Sequence, residues 1–125
     1  MPKSKIKEFK WLSAVEEHNY PAAKSYLSLI YDAPQVSKMI RLLRVAPIVE
    51  YKAKDIFRSS QLSLLGVSNS HVEKDKGKIR KGQALSPILL VRDENHGKVV
   101  IADGYHRLCA IYGFDEDALV HCKIV

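Results

Sequence analysis

The chain has 125 residues, of which 46% are hydrophobic, and this is enough for one domain with a substantial core. Its formal net charge of +6 favours anionic partners such as nucleotides, nucleic acid or phosphorylated substrates, although a basic surface that only keeps the protein soluble is the alternative. No stretch approaches the roughly 18 apolar residues of a membrane span, so we expect a cytoplasmic protein without a membrane partner.

Hydrophobic residues recur at helical spacing through the first third of the chain. They predict a helix over residues 8–18, a second helix that opens near Pro21 and a third that ends at Ala46. We interpret residues 1–47 as a helical extension that packs on a domain formed by residues 48–125. The aromatic residues of the extension would suit base stacking, but helical spacing favours packing. We expect the extension to form either a lid over a site or the contact surface of a homodimer.

The pattern of residues 48–125 predicts an α+β domain with a small mixed sheet. Four segments have the composition of strands: residues 48–53, 88–91, 99–102 and 120–124. The second and third are expected to form a hairpin. A short helix or a turn is predicted over residues 55–61. A charged helix is predicted to begin at a capping box made by Ser70 and Glu73 and to end before Gly82.

Residues 99–110 predict a strand that turns directly into a helix. We expect Asp103 to be the N-cap of this helix and Gly113 to close it. A helix start carries unpaired N–H groups and the positive end of the helix dipole, which together stabilise an anion. Gly104 would let that anion approach the backbone, because glycine has no Cβ in the way.

Two basic side chains follow this turn. The fork of Arg107 can bind phosphate or carboxylate through two parallel hydrogen bonds, and His106 supplies a second donor. The alternative for Arg107 is a structural ion pair with Asp103 or with the acidic turn at residues 115–117. The alternative for His106 is a capping or core histidine.

The run Asp-Gly-Tyr-His-Arg-Leu-Cys-Ala at residues 103–110 resembles the Gly-x-x-Arg-x-x-Ala box of the ParB and sulfiredoxin superfamily. The order of a charged helix, a strand and a hairpin that leads into the box is also similar to that family, from about Ile48 to Val125. The resemblance implies a ParB/sulfiredoxin-like fold, preceded here by the helical extension. It also implies a site whose strand, turn and helix hold nucleotide phosphates. The residues implied as binding are Gly104, Tyr105, His106 and Arg107.

The charged helix of sulfiredoxin-like members helps to hold the nucleotide. By this resemblance His71, Lys74 and Lys78, which share one helix face at spacings of three and four, are phosphate contacts; a solvated surface helix is the alternative. The implied ligand is a nucleoside triphosphate or diphosphate with Mg²⁺, or a phosphorylated small molecule. No tightly bound metal is expected, because the histidines and cysteines lack ligand spacing.

The residues in and around the box bear on which reaction the site could perform. Sulfiredoxin-like members have a nucleophilic cysteine directly after the box glycine, where this chain has Tyr105, so repair of peroxiredoxin is not expected. Cys109 and Cys122 are expected to be buried thiols. Nucleotide hydrolysis or phosphoryl transfer would use Asp103 or Glu50 as base or magnesium ligand, with His106 stabilising the phosphates. The alternative for Asp103 is a helix cap only.

The sequence is therefore compatible with three classes of function. The first is a nucleotide- or phosphate-binding domain, with or without hydrolysis or phosphotransfer. The second is a non-catalytic nucleic-acid-associated module that uses the charged helix and the lysine-rich start of the chain. The third is a regulatory interaction module whose helical third binds a partner.

Overall fold

The computed structural model describes residues 9–64 and 69–125. Its elements confirm the α+β class, and in chain order they are α1 (Asn19–Leu27), α2 (Ala33–Val45), β1 (Val49–Lys52), α3 (Ala53–Ser60), α4 (Ser70–Arg80), β2 (Ile88–Asp93), a short 3-10 turn (Glu94–His96), β3 (Lys98–Asp103), α5 (Tyr105–Phe114) and β4 (Leu119–Ile124). In this part of the chain, no helix combines the length and apolar character that a membrane crossing requires.

The four strands form one mixed sheet in the order β1-β4-β2-β3. β2 and β3 form the predicted antiparallel hairpin, with Leu90 opposite Ile101. β4 is inserted between this hairpin and β1, and it runs parallel to β2 and antiparallel to β1. β4 therefore joins β1 and the β2–β3 hairpin into one sheet.

Helices cover both faces of the sheet. Alternation along β2 directs Ile88 and Leu90 to the face that packs against α3, α4 and α5. Leu89 and Val91 belong to a second cluster, with α1 and α2. All four of these residues are buried. The molecule thus has three layers, and β2 reads as a continuous apolar run because both of its faces are covered.

The described part of the helical extension shares its core with the sheet. Leu27 and Leu43 are fully buried in the cluster that contains Leu89 and Val91. The ammonium of Lys123, a buried residue of β4, donates to the hydroxyl of Tyr20 at 3.2 Å and to the carbonyl of Arg44 at 2.9 Å. These bonds satisfy a buried cation and join β4 to the two helices.

The helix predicted over residues 8–18 is wrong where the structure describes it, because residues 9–18 form an irregular segment. Leu12 N–H donates to Leu85 O at 2.8 Å, and Leu85 N–H donates to Lys10 O at 2.8 Å. The indole of Trp11 stacks on the imidazole of His121 with ring centroids 4.9 Å apart. Partners that are distant in sequence bind this segment's backbone and rings, and local periodicity cannot report them.

Two helix ends also differ from expectation. Asn69 is the N-cap of α4 in place of Ser70, and its Oδ1 accepts from His71 N–H at 3.0 Å and from Val72 N–H at 3.2 Å. α5 continues through Gly113 and ends at Phe114; Asp115 is its C-cap residue, and the N–H of Asp115 donates to Ile111 O at 2.9 Å. The sequence also predicts that the leucine run after α3 ends at Gly66, and this position lies outside the described residues.

We predict that Leu27→Ala lowers the free energy of unfolding by about 2 to 5 kcal/mol, because it opens a cavity between α1 and the sheet. Leu29→Ala is the matched control, since Leu29 is 85% exposed and Leu27 is 0% exposed; its effect should stay within about 0.5 kcal/mol. Urea denaturation of both variants measures the difference. Equal effects would contradict the packing of α1 on the sheet.

Candidate functional site

The turn between β3 and α5 is built on a glycine. Gly104 has a φ of +106°, which L side chains rarely adopt. A Cβ at this position would lie 2.4 Å from Cγ2 of Ile88. Gly104 is also the N-cap residue of α5, so the prediction that Asp103 caps the helix is wrong. Asp103 is not the N-cap residue because the turn places Gly104, with its left-handed backbone, between β3 and α5.

The start of α5 offers backbone donors. The first intrahelical bond runs from Leu108 N–H to Gly104 O at 2.9 Å. The amides of Tyr105, His106 and Arg107 come before this bond, and Gly104 has no side chain to cap them. Together with the helix dipole they favour an anion at this end.

A cleft of about 190 Å³ lies between α4 and the start of α5. Its lining contains all seven residues implied as phosphate contacts, together with Asp103 and Asp75: His71, Lys74, Asp75, Lys78, Asp103, Gly104, Tyr105, His106 and Arg107. The rings of His71 and His106 approach to 4.9 Å between centroids and join the two helices at the cleft. The structure thus gathers residues from both segments, and their binding role stays a prediction.

Asp75 is the lining residue that the sequence analysis missed. The sequence prediction placed only His71, Lys74 and Lys78 on the binding face of the charged helix. Asp75 lies four residues after His71 and three before Lys78, so the same helical spacing would have included it. It brings a carboxylate to the wall formed by α4.

Arg107 is held inside the turn. Its Nη2 donates to Oδ2 of Asp103 at 3.1 Å and to the carbonyl of Pro87 at 3.5 Å. The side chains of Arg107 and Asp103 are only 16% and 17% exposed. Nε of Arg107 is buried, with no hydrogen-bond partner among the described residues. The ion pair with Asp103 that the sequence left open is therefore present.

The Asp103 carboxyl is shifted toward its neutral form. Burial raises its pKa above the usual value, while the nearby charges of Arg107 and His18 act in the opposite direction. A carboxyl with a raised pKa holds a proton more readily, but its hydrogen bond to Arg107 occupies one oxygen. Asp103 lies in the cleft, as expected for a base, and the base role itself stays a prediction.

Tyr105 connects α5 to the segment after α3. Its hydroxyl donates to the carbonyl of Ser63, and its ring meets Phe57 edge-on at 6.4 Å. Burial raises the pKa of Tyr105, with a further contribution from Cys109. Cys109 and Cys122 are buried thiols outside any disulfide, which confirms the expectation for both, and burial raises the pKa of Cys122 to about 12.

Glu50 is not part of this cleft. Its Oε2 lies 3.3 Å from Nε2 of His121, and the pair lines a different cavity, of about 430 Å³, beside Trp11. Glu50 as base or magnesium ligand at the phosphate site is therefore wrong. Within residues 9–64 and 69–125, no group of three or more His, Cys, Asp or Glu side chains is arranged to hold a metal ion.

No family model matches this chain, and no curated protein or solved structure matches it significantly. The resemblance to the ParB and sulfiredoxin superfamily therefore stays a prediction carried by the box at residues 103–110 and by the order of the elements around it.

We predict that Gly104→Ala destabilises the fold by about 1 to 3 kcal/mol or more, because positive φ is strained for alanine and the new methyl group meets Ile88. Gly77→Ala in α4 is the matched control, since a Cβ there meets nothing within 4 Å. It should raise stability by about 0.5 to 1 kcal/mol through helix propensity. Opposite signs in urea denaturation are expected, and a neutral Gly104→Ala would contradict the turn geometry.

We also predict the pH dependence that Asp103 contributes. The pKa is raised in the folded state, so the contribution is most favourable below the unfolded value of about 3.9 and is lost as pH rises through the folded value. The stability of the wild type relative to Asp103→Asn should therefore fall between acidic and neutral pH. Denaturation of both proteins across this range measures it, and a relative stability that rises with pH would contradict the raised pKa.

Proposed function

We propose that the protein binds the phosphate of a nucleotide or of a phosphorylated small molecule in the cleft between α4 and α5. One observation carries the proposal. The lysines of α4, Lys74 and Lys78, line the same cavity as the start of α5, where the amides have no side-chain cap. Ammonium groups and a helix N-terminus are complementary to the charge and the hydrogen-bonding capacity of phosphate.

The balance of charge in the cleft supports an anionic ligand. Arg107 and Asp103 compensate each other within their ion pair. Two lysines then stand against one carboxylate, that of Asp75, and the positive end of the α5 dipole adds to the lysines.

Where the ligand is a nucleoside triphosphate or diphosphate, magnesium would enter with it. Mg²⁺ is commonly held by one or two carboxylates together with substrate phosphates, and it keeps several waters. Asp75 and Asp103 are the carboxylates of the cleft. Hydrolysis with Asp103 and His106 as catalytic groups is a prediction for which release of inorganic phosphate is the readout. Phosphotransfer by the same groups would convert the triphosphate to the diphosphate and leave the phosphoryl group on an acceptor.

A nucleic-acid module is the competing function for the same cations. α4 also carries Arg80, with Lys81 directly after it, and both are exposed. The lysine-rich start of the chain, residues 1–7, lies outside the described residues. Binding of nucleic acid through lysines would fall steeply with salt and would involve surface cations beyond the cleft.

We predict that Lys74→Ala and Lys78→Ala each weaken nucleotide binding roughly tenfold, in line with the loss of one hydrogen bond to a charged group. Lys38→Ala is the matched control, because Lys38 is an exposed lysine of α2 on the opposite face of the sheet and should leave affinity unchanged. A thermal-shift screen of ATP, ADP, CTP and GTP, with and without magnesium, selects the nucleotide, and calorimetric titration measures its affinity.

Two results would contradict the proposal. One is the absence of any stabilising nucleotide in the screen, and the other is an equal effect of Lys38→Ala and Lys74→Ala on affinity. Tight binding of an oligonucleotide that weakens with Arg80→Ala as much as with Lys74→Ala would favour the nucleic-acid module. Arg107→Ala is less informative, because it leaves the buried carboxyl of Asp103 without its partner.

A further inference from the structure

A second cavity borders the cleft on the other side of the β3–α5 turn. It has a volume of about 420 Å³, within the range of small-molecule sites. Ala22 and Tyr26 of α1 and Leu62 after α3 line it, together with Ile101 and Ala102 of β3. These walls are apolar or aromatic, in contrast to the charged walls of the cleft.

The two cavities share part of their walls. Residues 103–106 line both of them, so the turn and the first residues of α5 form their common border. A phosphate at the start of α5 would therefore lie beside residues that also line the second cavity. Tyr26 and Leu62 are 41% and 43% exposed in the absence of such a ligand.

The residues that line the second cavity indicate which chemical group of a ligand would fit there. Tyr26, Tyr105 and His106 bring three rings to this cavity, and the aliphatic wall is provided by Leu62 and Ile101. A planar aromatic heterocycle can stack on such rings whatever its hydrogen-bonding edge. A sugar phosphate without a base would leave Tyr26 and Leu62 in water, so it would gain nothing from this cavity.

We propose that this second cavity holds the base of a nucleotide whose phosphates occupy the cleft. The inference rests on the proposed phosphate-binding function and restricts its ligand to nucleotides. Tyr26, on a helix of the N-terminal extension, becomes the stacking residue that distinguishes a nucleotide from other phosphate compounds. The extension then forms one wall of the site.

The test compares the nucleotide selected by the thermal-shift screen with inorganic tripolyphosphate, which carries similar charge and no base. Calorimetric titration of the full chain should give roughly tenfold tighter binding of the nucleotide, the order expected for one stacked base. Tyr26→Ala should remove this advantage and leave the affinity for tripolyphosphate unchanged. Tyr26→Phe should retain it, because the ring is kept.

Two further variants control the comparison. Tyr51→Ala is matched to Tyr26→Ala, since Tyr51 is 40% exposed and lines a different cavity, and it should change neither affinity. Leu62→Ala removes an apolar group from the other wall and should weaken only the nucleotide. Both Tyr26 and Leu62 are exposed, so these variants are expected to fold, which circular dichroism checks.

The outcomes separate this inference from the function on which it rests. If tripolyphosphate and the nucleotide bind equally, or if Tyr26→Ala weakens both alike, the base site is overturned while phosphate binding stands. If neither compound binds, the phosphate site and the base site are overturned together. Selective loss of nucleotide affinity in Tyr26→Ala and Leu62→Ala, with Tyr51→Ala unchanged, supports the base site.

Discussion

The close contact between Gly104 and Ile88 is the constraint on which the candidate site depends. The backbone of the turn lies so near β2 that a Cβ would come within 2.4 Å of the Ile88 side chain. Ile88 is itself fixed in the sheet, where it pairs with Cys122 of the parallel strand β4. The sheet thereby sets where α5 begins, and α4, packed beside α5, brings its lysines to that point.

The ion pair inside the turn changes which cations are available to a ligand. Arg107 is the residue that the box motif emphasises, yet it is mostly buried and donates to Asp103 and Pro87. An arginine held this way shapes the turn and lowers the cost of burying the carboxyl of Asp103. In the proposed phosphate site, the exposed side chains of Lys74 and Lys78 would therefore provide most of the attraction for the anion, because Arg107 is already paired.

The N-terminal helices belong to the same core as the sheet. Tyr20, Leu27 and Leu43 pack with the buried side chains of β2 and β3, and Lys123 joins β4 to both helices. This packing fixes α1 beside the β3–α5 turn, where Ala22 and Tyr26 form part of a cavity. The two expectations for the extension, a lid over the site and a homodimer surface, both stay predictions, since α1 lines a neighbouring cavity and not the cleft itself.

Local patterns in the sequence determined the hairpin, the last strand, the charged helix and the strand-turn-helix that contains Gly104, because alternation, helical spacing and turn residues act over a few neighbours. The resemblance to the ParB and sulfiredoxin superfamily implied seven site residues, and the structure gathers all seven around one cleft. Only the tertiary structure decided that residues 9–18 are irregular, with Lys10 and Leu12 bonded to Leu85, and that Arg107 pairs with Asp103. It also decided which cavity Glu50 faces and that Tyr26 lies beside the turn. These features depend on contacts between residues far apart in the chain, and no local periodicity encodes such contacts.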